Sequence, residues 1–348
     1  MFAWGANSHA QLGLGYATDT EQCDKPQSVT CLPFQKGSEL RCIAAGGGHT
    51  LLGTADGRLY GCGWNNHGQL GLGHTDDVPL FEPIGEYGFE SIAAGWDVSG
   101  GINAQGELYV WGSNVWGQID VPTNRIITKP KKLMLPCNSR ALKVVFGLHF
   151  TAVLMESGKV WFLGKCKDIT RHYPPDATQS IFPVCCIGDR GKVTDIAGGE
   201  CHLVLLSEGN RITCLGNNKH GQCSYNETTL DDPLRLESGW SHSGYLTRNG
   251  EVLLWGRNNY GQLGRNGESS SAPVRLAIDG GAAVRDFSLG SQHGAALTAC
   301  GRVYCWGWNE HANCGTPGED NVTIPRLVEL PVPVSKVICG AGYTLAFI

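Results

Sequence analysis

Short apolar runs, each ending on a glycine and followed by an Asn and a polar tight loop, recur along the whole chain. Residues 303–315 read VYCWGWNEHANCG. The same phrase returns as FAWGANSHAQLGLG at 2–15, YGCGWNNHGQLGLG at 60–73, YVWGSNVWGQI at 109–119, ITCLGNNKHGQC at 212–223 and LLWGRNNYGQLG at 253–264. A degenerate copy, VWFLGKCKD, occupies 160–168. The turn glycines are Gly5, Gly63, Gly112, Gly164, Gly216, Gly256 and Gly307. Apolar runs this short, bounded by Gly and Asn, predict strands rather than helices. Self-similarity at a period of roughly 50 residues marks a repeat architecture.

A second phrase precedes the first: a glycine, two variable residues, usually His, then a small and apolar run. It reads IAAGGGHTLLGTADG at 43–57, IAGGECHLVLLSEG at 196–209, ESGWSHSGYLTRNG at 237–250 and SLGSQHGAALTACG at 288–301. Each copy predicts strand, glycine-containing hairpin, strand and turn. Proline falls in the looser connectors, at Pro79, Pro83, Pro122, Pro130, Pro233, Pro273 and Pro325, as suits outer strands and loops. The last copy, ICGAGYTLAFI at 338–348, lacks the partner strand that 2–15 supplies, so pairing the two completes a ring and removes the exposed sheet edges. The expectation is an all-β, seven-bladed β-propeller forming one domain over 1–348. Blade cores are expected near 43–71, 92–118, 144–168, 196–223, 236–264, 287–315, and 338–348 joined to 1–15.

Composition narrows the class. Charged residues make up only 17% of 348 residues while 49 are glycine and 41% are hydrophobic, which suits a turn-dense folded protein. A net charge of -5 with no basic cluster beyond 129–132 argues against a nucleic-acid partner. No apolar run approaches the roughly 18 residues of a membrane span. The chain enters a repeat at once, which leaves no room for a signal peptide. The fifteen cysteines include no C-x-x-C, and Cys62, Cys214 and Cys305 fall inside predicted strands, so reduced, buried thiols are expected. No nucleotide-binding, zinc-protease or nucleophile-elbow motif is present, and neither a cofactor nor a metal site is expected. Likewise, one His per blade around a ring does not converge as metal ligands must.

A residue that recurs in every blade serves the blade. Trp4, Trp111, Trp161, Trp255 and Trp306 lie within strands and are expected to pack between blades, and His49, His202, His242 and His293 to bridge neighbouring loops. The exceptions are better candidates for function. Strand polarity puts the Gly-x-x-His loops and the Asn-x-x-Gly-Gln loops on one face. Trp64, Trp96, Trp116, Trp240 and Trp308 all fall there, joined by Tyr260. Aromatics on a loop-built face are typical partner-binding hot spots; the alternative is that they fold over the mouth of the ring as a plug.

These phrases, above all AGGGHTLLGTADGRLYGCGWNNHGQLGLG and GEVLLWGRNNYGQLG, resemble the repeats of the regulator of chromosome condensation family over essentially the whole chain. The Gly95–Asp97 triplet GWD and the phrase GWNEHANCG at 307–315 are similar to a branch of that family that acts in regulated secretion. The resemblance implies a guanine nucleotide exchange factor for a small GTPase: a monomer in the cytoplasm, with access to the nucleus, performing no covalent chemistry. It also implies that acidic residues in the Gly-x-x-His loops drive exchange, and Asp97 and Glu200 occupy that place here. The competing expectation is a non-catalytic adaptor in secretion or ubiquitin pathways.

Overall fold

The computed structural model describes residues 1–17, 22–33, 39–119, 124–136, 139–171, 181–183, 191–224 and 228–348. Seven antiparallel sheets form the seven blades of a propeller. Blades one to seven are numbered here from their innermost strands: Leu40–Ala45, Phe89–Ala94, Ala141–Phe146, Val193–Gly198, Pro233–Ser238, Val284–Leu289 and Lys336–Cys339. Blade one is typical. Leu40–Ala45 pairs with His49–Thr54, which pairs with Arg58–Gly63, which pairs with the outer strand Val78–Glu86.

The closure expected from the sequence is present. Phe2–Ala6 pairs antiparallel with Tyr343–Phe347, Phe2 opposite Ala346 and Gly5 opposite Tyr343, and Gln22–Ser28 completes the sheet on the outside. Blade seven is therefore built from both halves of the chain.

Burial along each blade explains the sequence pattern. The second strand is covered on both sides by neighbouring blades, and every residue of His49–Thr54, Phe150–Met155, His202–Ser207, His242–Thr247 and His293–Thr298 is buried. Those runs are accordingly small and apolar rather than alternating. The core is not one body but seven apolar clusters at the seven blade junctions. One joins Leu254 and Leu263 of blade five to Phe287 and Trp306 of blade six. Another joins Phe2 and Trp4 of blade seven to Val303 and Cys305 of blade six.

The strand tryptophans behave as expected of residues that recur. Trp4, Trp111, Trp255 and Trp306 are fully buried, and each indole Nε1 donates to a backbone carbonyl of the preceding blade's loop, at Asn313, Gln69, Gln222 and Gln262 respectively. Trp161 packs in the junction of blades two and three. The turn glycines hold φ values between +89° (Gly164) and +111° (Gly216), where a Cβ would in addition strike the backbone of the adjoining loop.

The thiol expectation needs correction. Cys166 is bridged to Cys201 and Cys214 to Cys223, while eight other described cysteines are free. Cys214 lies in the third strand of blade four and Cys223 ends the loop which that strand feeds, so the repeat itself brings their Cα atoms to 5.0 Å. Cys166 follows the third strand of blade three and meets the Gly-x-x-His loop of blade four, Cα to Cα 5.7 Å. Spacing along the chain could not show either approach, because one depends on loop closure and the other on blade adjacency.

Candidate functional site

Each Gly-x-x-His loop links the first and second strands of its blade, and each Asn-x-x-Gly-Gln loop leaves the third. The register sets His49 opposite Gly63, so both loop types emerge at the same end of the ring. The Asn loops are built alike. The Asn65 side chain accepts from the Leu70 N–H, and Asn7, Asn114, Asn218, Asn258 and Asn309 do the same five residues on. The loop glutamines, Gln11, Gln69, Gln118, Gln222 and Gln262, accept from the N–H two residues before them. That N–H belongs to His9, His67, Trp116, His220 and Tyr260, with His311 at the same place in blade six. A ring side chain thus stands at the tip of six loops. Sequence reasoning found Trp116 and Tyr260 and missed the histidines; the signal was the recurrence of aromatic or imidazole residues two positions after the loop Asn.

The Gly-x-x-His loops form the inner mouth. Their first glycines, among them Gly46, Gly95, Gly147 and Gly199, line a narrow neck of about 120 Å³ above the central channel. Backbone hydrogen bonds pass from blade to blade around it: Leu148 N–H to Glu200 O, Glu200 N–H to Trp240 O, Trp240 N–H to Ser291 O, Ser291 N–H to Ala341 O, Ala341 N–H to Gly46 O and Gly47 N–H to Gly95 O. Among the described residues the belt has one gap, between Trp96 and Leu148.

The residue after each first glycine decides the shape above the neck. It is Trp96 in blade two, Glu200 in blade four and Trp240 in blade five, but Gly47, Ser291 and Ala341 in blades one, six and seven. The two indoles meet across the mouth with ring centroids 5.2 Å apart, and Trp64 packs edge-on against Trp96 at 6.4 Å. Over the small residues on the other side a cavity of about 590 Å³ remains. It brings together Trp64, Trp96, Trp240, Tyr260, Trp308 and Glu200, which are all half-buried. Trp96 and Trp240 therefore close the neck and wall the cavity at once. Residues that the sequence did not single out complete the lining: His9 stacks on Trp64, Arg257 lies over Tyr260, and Glu310 accepts from the Trp308 indole at 3.2 Å.

Two of the expected site residues lie outside this cavity. Trp116, 43% exposed, sits against His149 with Lys165 over its ring. Asp97 does not line the cavity; it faces His67 of blade one and His149 of blade three, its Oδ2 3.9 Å from His67 Nδ1. Burial raises its pKa, opposed by His67, by a hydrogen bond from Ser113 and by His149, while its Oδ1 is buried without a hydrogen-bond partner. Burial likewise lowers the pKa of His149 against the pull of Asp97 and Glu200. Among the described residues no group of His, Cys, Asp and Glu could hold a metal ion.

A seven-bladed ring with Gly-x-x-His and Asn-x-x-Gly-Gln loops on one face defines a class, and the chain belongs to it: the RCC1-like domain model matches residues 1–346. Among curated relatives, the secretion-regulating guanine nucleotide exchange factor of Bos taurus is 31% identical over 400 residues, covering 99% of this chain and 82% of its own. That of Mus musculus is 32% identical over 397 residues, covering 99% and 83%. Among solved structures, Prp20p from Saccharomyces cerevisiae, described with its binding properties to Gsp1p and histones, superposes with a TM-score of 0.86. It is 21% identical and covers 99% of this chain and 90% of that one, a likeness of fold.

Proposed function

We propose that this propeller is a guanine nucleotide exchange factor that engages a small GTPase through its Gly-x-x-His face and serves regulated secretion from the cytoplasm, with access to the nucleus. The observation that carries the reading is the likeness to secretion-regulating exchange factors along 99% of the chain. The cavity-lining tryptophans and Glu200 agree with it. Exchange breaks and forms no covalent bond. The factor must bind the nucleotide-free GTPase more tightly than the loaded one, and that difference drives release. Carboxylates on the binding face contribute by competing with the nucleotide's phosphates for the lysine of the GTPase's phosphate loop.

The test is capture of a panel of small GTPases on the immobilised protein, with GDP and Mg²⁺ or with EDTA, followed by release of a fluorescent GDP analogue. Preferential capture of a nucleotide-free GTPase and accelerated release support exchange. Equal capture under both conditions, with no acceleration, makes the protein an adaptor. Trp240→Ala should weaken capture by about 30- to 1000-fold, the range of a 2–4 kcal/mol hot spot. Asp97→Asn, which changes charge with little change of shape, should act on the release rate more than on capture.

A further inference from the structure

We propose that the mouth cavity is a receptor for a cationic side chain, arginine in particular, presented by the partner protein. This deepens the reading of the mouth as the partner face and rests on it. The argument begins with the walls. Trp64, Trp96 and Trp240 form a continuous aromatic surface from three blades, with ring centroids 6.4 Å and 5.2 Å apart. An aromatic face carries negative potential and attracts a cation placed over it, most strongly in Trp. The second element is charge. Glu200 lines the same cavity as these rings, and so does Glu310, which accepts from the Trp308 indole. An apolar guest pressed against Glu200 would strip water from a carboxylate and return nothing, whereas a guanidinium offers that carboxylate hydrogen bonds and opposite charge.

The cavity lining already shows the mode once. Arg257 places its guanidinium 5.1 Å from the Tyr260 ring centroid, both within the lining. Among the described residues no Lys or Arg of the chain packs in this way on Trp64, Trp96 or Trp240. A planar, weakly hydrated guanidinium stacks on aromatic faces better than a compact ammonium, which selects arginine over lysine. The cavity, at about 590 Å³, has room for such a side chain. Gly47, Gly48 and Gly342 in its lining carry no side chain to narrow that space.

The probe is the tripeptide acetyl-Gly-Arg-Gly-amide, titrated into ¹⁵N-labelled protein while the indole N–H resonances are followed. Its control carries citrulline, which keeps the shape and loses the charge. The arginine peptide should shift the Trp64, Trp96 and Trp240 indoles saturably and leave Trp116 unmoved. The citrulline peptide should bind at least about 10-fold more weakly, as expected of a partly desolvated cation–aromatic site. Glu200→Gln, which leaves the aromatic wall in place, should weaken the arginine peptide several-fold and leave the citrulline peptide unchanged. Equal binding of both peptides, or no shift at the three indoles, overturns the proposal. The two readings fail separately. If the peptide binds as described while no GTPase is captured, the arginine site stands and exchange falls. If a nucleotide-free GTPase is captured preferentially and its GDP release is accelerated, while the peptide does not compete, exchange stands and the arginine site falls.

Discussion

The loop histidines show how a recurring residue becomes a property of the whole protein. Burial holds His49, His242 and His293 near a pKa of about 3 and His202 near about 4, so all four are neutral in the folded protein. In the unfolded chain they titrate near 6.5. Below that pH the unfolded state takes up protons that the folded state refuses. Stability present above pH 6.5 is therefore lost as pH falls toward the folded values, by about 1.4 kcal/mol per histidine at pH 5.5. Urea midpoints at pH 7.5 and 5.5 should differ clearly; equal midpoints would refute the account. The four are not equivalent. His49, His202 and His293 reach Ser99, Ser243 and Thr344 of the next blade at 2.8, 2.8 and 3.0 Å. His242 has no such partner, because Gly294 stands where the others meet a hydroxyl. His49→Leu should thus cost about 1 kcal/mol more at pH 7.5 than His242→Leu, the worth of one buried hydrogen bond. That these histidines are structural was legible from their recurrence, whereas the odd one was hidden, since its missing partner lies some fifty residues further along the chain.

Among the elements, the Asn-x-x-Gly-Gln loops carry a burden out of proportion to their length. Asn258 is buried, accepts from Leu263 N–H and donates to the Arg265 and Gly267 carbonyls at 3.0 and 2.8 Å. The loop also presents the Gln262 carbonyl that receives the Trp306 indole. Asn258→Ala should destabilise by about 2–4 kcal/mol, because it leaves several buried backbone groups unpaired. Thermal unfolding checks this, and a loss under about 1 kcal/mol would mean that water replaces the amide. The loop phrase was legible in the sequence down to its turn glycine. What its tip presents was only half legible: Trp116 and Tyr260 drew notice as aromatics, but not the imidazoles at the same loop position. Glu200 follows the first loop glycine directly, the place Trp96 holds in blade two, whereas Asp97 stands one residue further on, so the two carboxylates end up in different surroundings.

At the scale of the molecule, the ring was legible because seven blades repeat one phrase. The site was less so. A cavity lies over blades five, six, seven and one because Gly47, Ser291 and Ala341 are small where Trp96 and Trp240 are large, a contrast visible only once the copies are set in a circle. The Cys166–Cys201 bridge was hidden for the same reason, and the Cys214–Cys223 bridge because it depends on how one loop closes. Closure itself can be tested. Removing residues 1–15 takes the third strand out of blade seven and strips Trp4 from the junction with blade six. The loss should be several kcal/mol, much of the roughly 5–15 that a domain has, and the exposed edge of Tyr343–Phe347 should promote association. A truncated protein that stays monomeric with an unchanged melting temperature would show that the ring does not depend on this strand. The gap in the hydrogen-bonded belt has a mechanical meaning. A hoop fastened at every joint but one yields at the open clasp, so slow breathing of the mouth should concentrate between blades two and three. There the Trp96 amide should trade its proton for deuterium sooner than those of Glu200 and Trp240, and the indole that closes the neck hangs on the leaf free to swing.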